Sequence, residues 1–317
     1  PAAMATKKLT VRPYSIVNHI IYDKDTKKAK GVMVIDAETN ETMEFYAKIV
    51  FVNGSTLGST CSLLNSTSEA HPNGLGNGSG QLGHNLMDHH FRCGAEGTAE
   101  GFEDKYTYGR RANGIYIPRY QNFNGDKRDY LRGFGYQGGA SRGNWHKEVA
   151  ELAFGGDFKE TMSRPADSWT MGLGGFGEML PYYENKVYID HSKKDKWGQP
   201  VLAIDCEYKE NEAKMREDMM YDAAEMLEAA GMKNIKTYDN GCFPGMAIHE
   251  MGTARMGNDP KESVLNKWNQ MHEVSNVFVT DGSCMPSVAC QNPSLTFMAL
   301  TARACDYAIK ELKKKNI

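Results

Sequence analysis

The sequence predicts a mixed α/β (α+β) fold in which a domain built on buried parallel strands is interrupted by an antiparallel segment. Three observations predict it. Residues 47–54 form a short apolar run ending in Asn53-Gly54, and residues 277–283 form a second run ending in Asp281-Gly282. Short apolar runs closed by turn residues are the pattern of parallel strands buried on both faces. Between them, from about 85 to 240, the chain is more polar and aromatic, with strand-like pieces separated by irregular loops.

In chain order, residues 9–21 read as a strand carrying Val11, Ile16, Val17, Ile20 and Ile21, stopped by the turn Asp23-Lys24-Asp25-Thr26. Residues 31–35 and 43–46 are the next two strands. The buried strand 47–54 then feeds a helix over 56–64, and residues 72–83, rich in Gly and Asn, are a loop. In the middle, Tyr116-Ile117-Pro118-Arg119, residues 133–139 and residues 180–190 are the pieces of an antiparallel sheet with one open face. The clearest helix spans 211–230. Asn211 is placed to cap it, Met215, Met219, Met226 and Leu227 form its apolar stripe, and Gly231 closes it. The last helix, 295–312, puts Leu295, Met298, Ala299, Ala302, Cys305, Ile309 and Leu312 on or near one face. The expected units are 1–84, 85–240 and 241–317, the first and last belonging to one domain.

A chain of 317 residues is long enough for two domains, and its net charge of −3 is close to neutral. The one basic run, Lys313-Lys314-Lys315, reads as a frayed helix end, which argues against nucleic acid or an anionic membrane as partner. No apolar run is long enough to span a bilayer, and the first residues lack a signal-peptide core. The compartment, cytoplasmic or periplasmic, stays open. Seven scattered cysteines without a Cys-x-x-Cys pair read as buried thiols, neither a disulfide frame nor a zinc site. His89-His90 does not make a metal site either, because adjacent residues on an extended segment point apart.

The residues with chemical promise lie in the last quarter. His249, in Ile248-His249-Glu250-Met251-Gly252-Thr253, and Asn292, in Asn292-Pro293-Ser294-Leu295-Thr296, flank the strand at 277–280, which can bring both to one sheet edge. An imidazole accepts a proton near neutral pH. A carboxamide donates to an oxygen without competing for that proton. Together they suggest a redox site with a base and a hydrogen-bond partner. Glu178, Arg119, Gln137 and Tyr136 are candidates for lining a substrate pocket, with a solvated or structural role as the alternative reading.

Three pieces together resemble the glucose-methanol-choline (GMC) family of flavin-dependent alcohol oxidoreductases. They are His249-x-Met251-Gly252-Thr253-x-Arg255-Met256-Gly257, Asn276-Val277-Phe278-Val279-Thr280-Asp281-Gly282-Ser283, and Asn292-Pro293-Ser294-Leu295-Thr296-x-x-Ala299-Leu300. Residues 50–64 resemble the family's strand, Gly turn and helix; Gly74-Leu75-Gly76-Asn77 with Gly83-x-Asn85-Leu86-Met87-Asp88-His89 resembles the loop that follows. Within the family the closest likeness is to sugar dehydrogenases and pyranose oxidases. The resemblance implies a partial FAD-binding Rossmann-like domain with an inserted antiparallel-sheet substrate domain. It implies oxidation of the CH–OH group of a sugar or related alcohol, with hydride passing to flavin N5, His249 as base and Asn292 positioning the oxygen. It places Val17, Gly54, Asp281, Gly282, Asn292, Pro293 and Thr296 against FAD, Val17 through an adenine contact. The electron acceptor stays open among oxygen, a quinone and a cytochrome, the last being an electron-acceptor protein as partner.

Such enzymes hold FAD on a Gly-x-Gly-x-x-Gly turn near the N-terminus. Residues 1–60 contain none. Gly172-Leu173-Gly174-Gly175-Phe176-Gly177 has the spacing, but no apolar strand precedes it and Pro181 follows, so it reads as a flexible turn in the substrate segment. The expectation is a chain that corresponds to the C-terminal part of a longer enzyme, with FAD absent or weakly bound and a tendency to self-associate. The alternative is an inactive fragment, or a scaffold that binds sugar or a partner without flavin; the visible spectrum of the purified chain separates the two readings.

Overall fold

The computed structural model describes residues 1–102, 104–105, 114–142, 155–156, 158–159 and 168–317. After a short helical turn, α1 (Ala2–Ala5), a three-stranded antiparallel sheet is built from β1 (Ser15–Asp23), β2 (Lys28–Asp36) and β3 (Thr42–Tyr46). The first strand begins at Ser15, not at Leu9. Pro13 lacks an N–H for a ladder, and Tyr14 sits at a positive φ of 53°. The expected strand at 47–54 is β4 (Val50–Val52), which pairs in parallel with β13 (Val277–Val279), Val50 opposite Val277 and Val52 opposite Val279.

This parallel pair organises one core. Helix α2 (Ser55–Asn65) follows β4 directly and buries Leu63 against Val50, Val52, Val277 and Val279. Asn276, almost wholly buried, ties the strand starts together. Its side-chain oxygen accepts from the Ala29 N–H at 2.8 Å, and its amide donates to the carbonyls of Ala29 at 2.7 Å and Lys48 at 3.0 Å. A buried amide that is fully engaged in this way offsets its own desolvation.

The middle of the chain forms a six-stranded antiparallel sheet in the order β12 (Lys233–Asp239), β6 (Cys93–Ala99), β9 (Trp169–Glu178), β8 (Phe134–Arg142), β7 (Ile115–Ile117). The short β5 (His89–His90) also pairs with β9. The hairpin β10 (Lys186–Lys194) and β11 (Pro200–Asp205) stands apart from it. Helix α3 (Glu210–Ala229) lies on the sheet and buries Met215, Met219, Ala223 and Leu227, four positions apart, against Cys93, Ala95, Phe134, Tyr136 and Leu173. Its cap differs from expectation. Lys209 holds the N-cap position and the Glu212 carboxylate accepts from its N–H at 2.9 Å, whereas Asn211 turns aside to exchange hydrogen bonds with the backbone of Leu131. At the other end Gly231 donates to Glu228 and Met232 to Leu227, the two bonds of a Schellman closure.

The Gly172–Gly177 stretch is not a turn but the interior of β9. A Cβ on Gly175 would lie 2.6 Å from the Met219 sulfur, and one on Gly177 would lie 2.2 Å from the His90 ring. The glycines let α3 and β5 approach the strand closely.

The last helix, α4 (Ser294–Lys313), also corrects the expectation. Ala304 and Ala308 face inward against Phe278, whereas Leu295, Met298 and Ile309 are 77 %, 68 % and 53 % exposed. The inner face is made of small residues, Ala304 and Ala308, in one cluster with Phe278. The bulkier apolar stripe looks outward.

Candidate active site

His249 sits half-buried on the loop that follows residue 241, and its position is set by Asp88. The Asp88 carboxylate is buried to 1 % exposure and accepts four backbone N–H bonds: His89 at 2.8 Å and His249 at 3.1 Å on one oxygen, Gly245 at 2.8 Å and Ala247 at 3.2 Å on the other. Burial pushes its carboxyl up, and the four donors oppose that shift. The clamp holds an unfavourable backbone. Ile248, immediately before His249, has φ 54° and is 78 % exposed. A β-branched residue in the left-handed region is strained, and such strain persists only where the surroundings impose it.

The side chain of His249 meets His89. The two Nδ1 atoms lie 2.8 Å apart, the rings are edge to face at 86°, and His89 Nε2 is 3.0 Å from the carbonyl oxygen of Ala289. His89 is fully buried; burial, with His249 beside it, brings its pKa down from the ordinary 6.5 to about 4. The neighbouring ring of His90 points away, toward Tyr208, and is lowered to about 3, chiefly by burial. His249 Nε2 has no partner among the described residues and is not one of the buried unpaired nitrogens, so it is open to solvent.

The segment after His249 is threaded between two others. Met251 exchanges two backbone bonds of 2.9 Å with Met87. Gly252 donates to the Gly282 carbonyl at 3.1 Å, and Ala254 to that of Ser283 at 2.8 Å. Gly252 has φ 105°, and a Cβ there would fall 2.1 Å from the Asn85 carbonyl oxygen, so no other residue fits. The Thr253 hydroxyl lies 2.6 Å from that of Thr60 in α2. The Met-Gly-Thr run therefore fixes the His249 loop against the strand ends.

At those ends, Gly54 follows β4 and Asp281-Gly282 follows β13, side by side because the strands are parallel. The Ser59 hydroxyl joins them: it accepts from the Gly54 N–H at 2.8 Å and donates to Asp281. Asp281 also accepts from the Ser283 N–H at 3.0 Å and from the Ser283 hydroxyl, so most of its lone pairs are used within the protein; burial raises its pKa against these bonds. Gly54, Asn292 and Thr296 are exposed, Pro293 is buried at the N-cap of α4, and no side chain caps that helix. Val17 lies 42 % exposed on β1, in a sheet separate from the parallel pair.

Asn292 is three residues beyond Ala289, whose carbonyl anchors His89, and Val288 packs in one cluster with Met87 and Met251. The structure thus brings the two segments together, although among the described residues no hydrogen bond joins His249 to Asn292. Glu178, 3 % exposed, faces Arg119 at 3.5 Å and Arg132 at 3.8 Å, accepts from the Ser287 hydroxyl, and is the register partner of His89. Tyr136 is structural: it is wholly buried and its hydroxyl donates to the Met219 carbonyl at 2.7 Å. Gln137 is half-buried on β8. Two clefts of about 350 and 370 Å³ open elsewhere, the first lined by Phe102, Trp169 and Met171, the second by Leu82, His84 and Tyr188. Neither includes His249 or Asn292.

Asp88 and His89 were not singled out from sequence as site residues. The available signal was an acidic residue next to a histidine within the Asn85–His89 run, but nothing in the sequence couples position 89 to position 249.

Residues 181–301 match the family model described as GMC oxidoreductase. The 2-methyl-1,2-propanediol dehydrogenase of Mycolicibacterium austroafricanum is 33 % identical over 290 residues, covering 88 % of this chain and 51 % of the relative. The fructose dehydrogenase large subunit of Gluconobacter japonicus is 23 % identical over 321 residues, covering 99 % and 56 %. Among solved structures, a formate oxidase of Aspergillus oryzae RIB40 superposes with a TM-score of 0.56 at 16 % identity, over 96 % of this chain and 61 % of that one. This last likeness bears on the fold alone. The chain carries the C-terminal domain of the GMC oxidoreductases. It spans about half the length of the curated relatives it matches.

Proposed function

We propose that the protein containing this chain oxidises the CH–OH group of a sugar or a related small alcohol with FAD as the electron acceptor. The observation that carries this reading is His249, held at one ring nitrogen by His89 while the other is open to solvent. The relatives named above, one a diol dehydrogenase and one a fructose dehydrogenase subunit, support the substrate class.

The residues present suit the cofactor. Gly54, Asp281 and Gly282 stand at the carboxyl ends of parallel strands, where ligands of such sheets lie. The uncapped start of α4, at Pro293 with Asn292 and Thr296 exposed, offers first-turn N–H groups and the positive end of a helix dipole to an electron-rich ring edge. With Asp281 engaged by Ser59 and Ser283, its part is to shape the strand end. Val17 is assigned the adenine contact. FAD, when bound, supplies a hydride acceptor for the carbinol carbon. His249 Nε2 takes the hydroxyl proton, and the Asn292 amide holds the same oxygen.

The test is the flavin-loaded protein assayed on a panel of sugars and small alcohols, with His249→Ala and Asn292→Ala beside it. His249→Ala is expected to lose about 10²–10⁴-fold in turnover. Turnover equal to the unsubstituted protein on every substrate would remove His249 from the chemistry.

A further inference from the structure

His89 is used by no part of the proposed reaction, yet among the described residues it is the one side chain hydrogen-bonded to the His249 ring. Its two contacts define where the protons lie. A carbonyl oxygen only accepts, so the 3.0 Å contact with Ala289 requires a proton on His89 Nε2. A neutral imidazole has one N–H, so His89 Nδ1 carries the lone pair. The 2.8 Å contact between the two Nδ1 atoms then needs a proton on the His249 side. That leaves Nε2 as the lone-pair nitrogen of a neutral His249.

We propose that His89 is a positioning residue that fixes the tautomer of His249: the Ala289 carbonyl orients His89, His89 Nδ1 accepts from His249 Nδ1–H, and His249 Nε2 is kept unprotonated and ready to take a proton. This deepens the function proposed above and rests on His249 being its base. The arrangement survives the reaction. When His249 gains a proton at Nε2, its Nδ1–H still donates to His89, so neither ring turns and no hydrogen bond breaks. The low pKa of His89 agrees with this, since a protonated His89 would present an N–H to an N–H. The Val288 carbonyl, next to that of Ala289, is a second backbone acceptor facing the His89 ring; the remaining groups around it leave its ring nitrogens alone. Asp88 takes its backbone N–H, the Tyr208 hydroxyl donates to its carbonyl at 3.0 Å, Glu178 is its strand partner, Phe176 meets its ring edge, and His90 faces away. A free imidazole holds both tautomers, so a histidine without such a partner spends part of its time with the proton on the wrong nitrogen.

The experiment uses the chain with histidine isotopically labelled in its ring nitrogens. Two-bond proton–nitrogen spectra are recorded where imidazoles are neutral, with His249 and His89 assigned from single His→Gln variants. The expected result is one tautomer at each: proton on Nδ1 of His249 and on Nε2 of His89. A proton on Nε2 of His249, or an averaged signal, overturns the proposal without any further variant. His89→Leu is expected to release His249 to a mixed population, whereas His89→Asn, whose side-chain oxygen falls near the former Nδ1, restores the single Nδ1–H form. A His249 tautomer unmoved by His89→Leu also overturns it. Failure of the base assignment is read separately, from flavin reduction in His249→Ala: loss of turnover there with a mixed tautomer in the unsubstituted chain sinks the His89 proposal alone.

Discussion

Removing the Asp88 carboxylate tests whether the His249 loop is clamped or merely packed. Asp88→Ala deletes the acceptor of four N–H bonds at a position 1 % exposed. Two of the donors, on His89 and Ala247, are on buried residues, and each N–H left unsatisfied there costs about 1–3 kcal/mol. The other two are on Gly245, an exposed residue, and His249, a half-buried one, and are left out of the sum. The sum is roughly 2–6 kcal/mol, a large share of the ~5–15 kcal/mol that holds a domain folded. Asp88→Asn keeps the shape and one acceptor oxygen but turns an NH2 group toward two donors, so its loss should fall in the lower half of that range. The assay is urea denaturation of the chain, paired with amide hydrogen exchange at Gly245, Ala247 and His249. Those three amides are expected to lose protection before global unfolding. A loss under about 1 kcal/mol, with their exchange unchanged, would show that the loop is held by something other than Asp88.

Acid should destabilise the fold through the buried histidines. With folded pKa values of about 4 for His89 and about 3 for His90, against an ordinary 6.5, the unfolded chain binds protons that the folded chain does not as pH falls below 6.5. Stability therefore drops by about 1.4 kcal/mol per pH unit for each histidine across that window. His89→Asn should shallow the slope of stability against pH by one proton, and an unchanged slope would contradict the neutral, buried His89. Gly252→Ala should fail to fold or lose more than about 3 kcal/mol, because its Cβ would meet the Asn85 carbonyl at 2.1 Å; a thermal melt like that of the unsubstituted chain would rule out the threaded segment. Ile248→Asn should raise stability by about 1 kcal/mol, since Asn tolerates the left-handed backbone that Ile248 is forced into and nothing buried is lost.

Much of this frame was legible in the sequence, for identifiable reasons. The parallel strands at 50–52 and 277–279, α2 and α3 announce themselves through local signals: an apolar run closed by Gly, and methionines four apart closed by Gly231. His249 was legible because its neighbours Met251, Gly252 and Thr253 are each constrained by contacts that few residue types satisfy. What stayed hidden depends on partners distant in sequence. The apolar stripe of α4 was visible as a period, but a period does not say which face turns inward, and here the small Ala304 and Ala308 do. The glycines of β9 have the spacing of a phosphate-binding turn, yet their cause is the closeness of Met219 and His90. The pairing of His89 with His249 joins residues from β5 and a loop beyond α3, and no local pattern encodes it.

The most direct measurement is the rate of flavin reduction by an oxidisable alcohol under anaerobic conditions, followed by the bleaching of the flavin band in the flavin-loaded protein and in His249→Ala as pH is varied. A base at His249 predicts a rate about 10²–10⁴-fold lower in the variant than in the unsubstituted protein across the pH range. The same rate and the same pH profile in both would contradict the account.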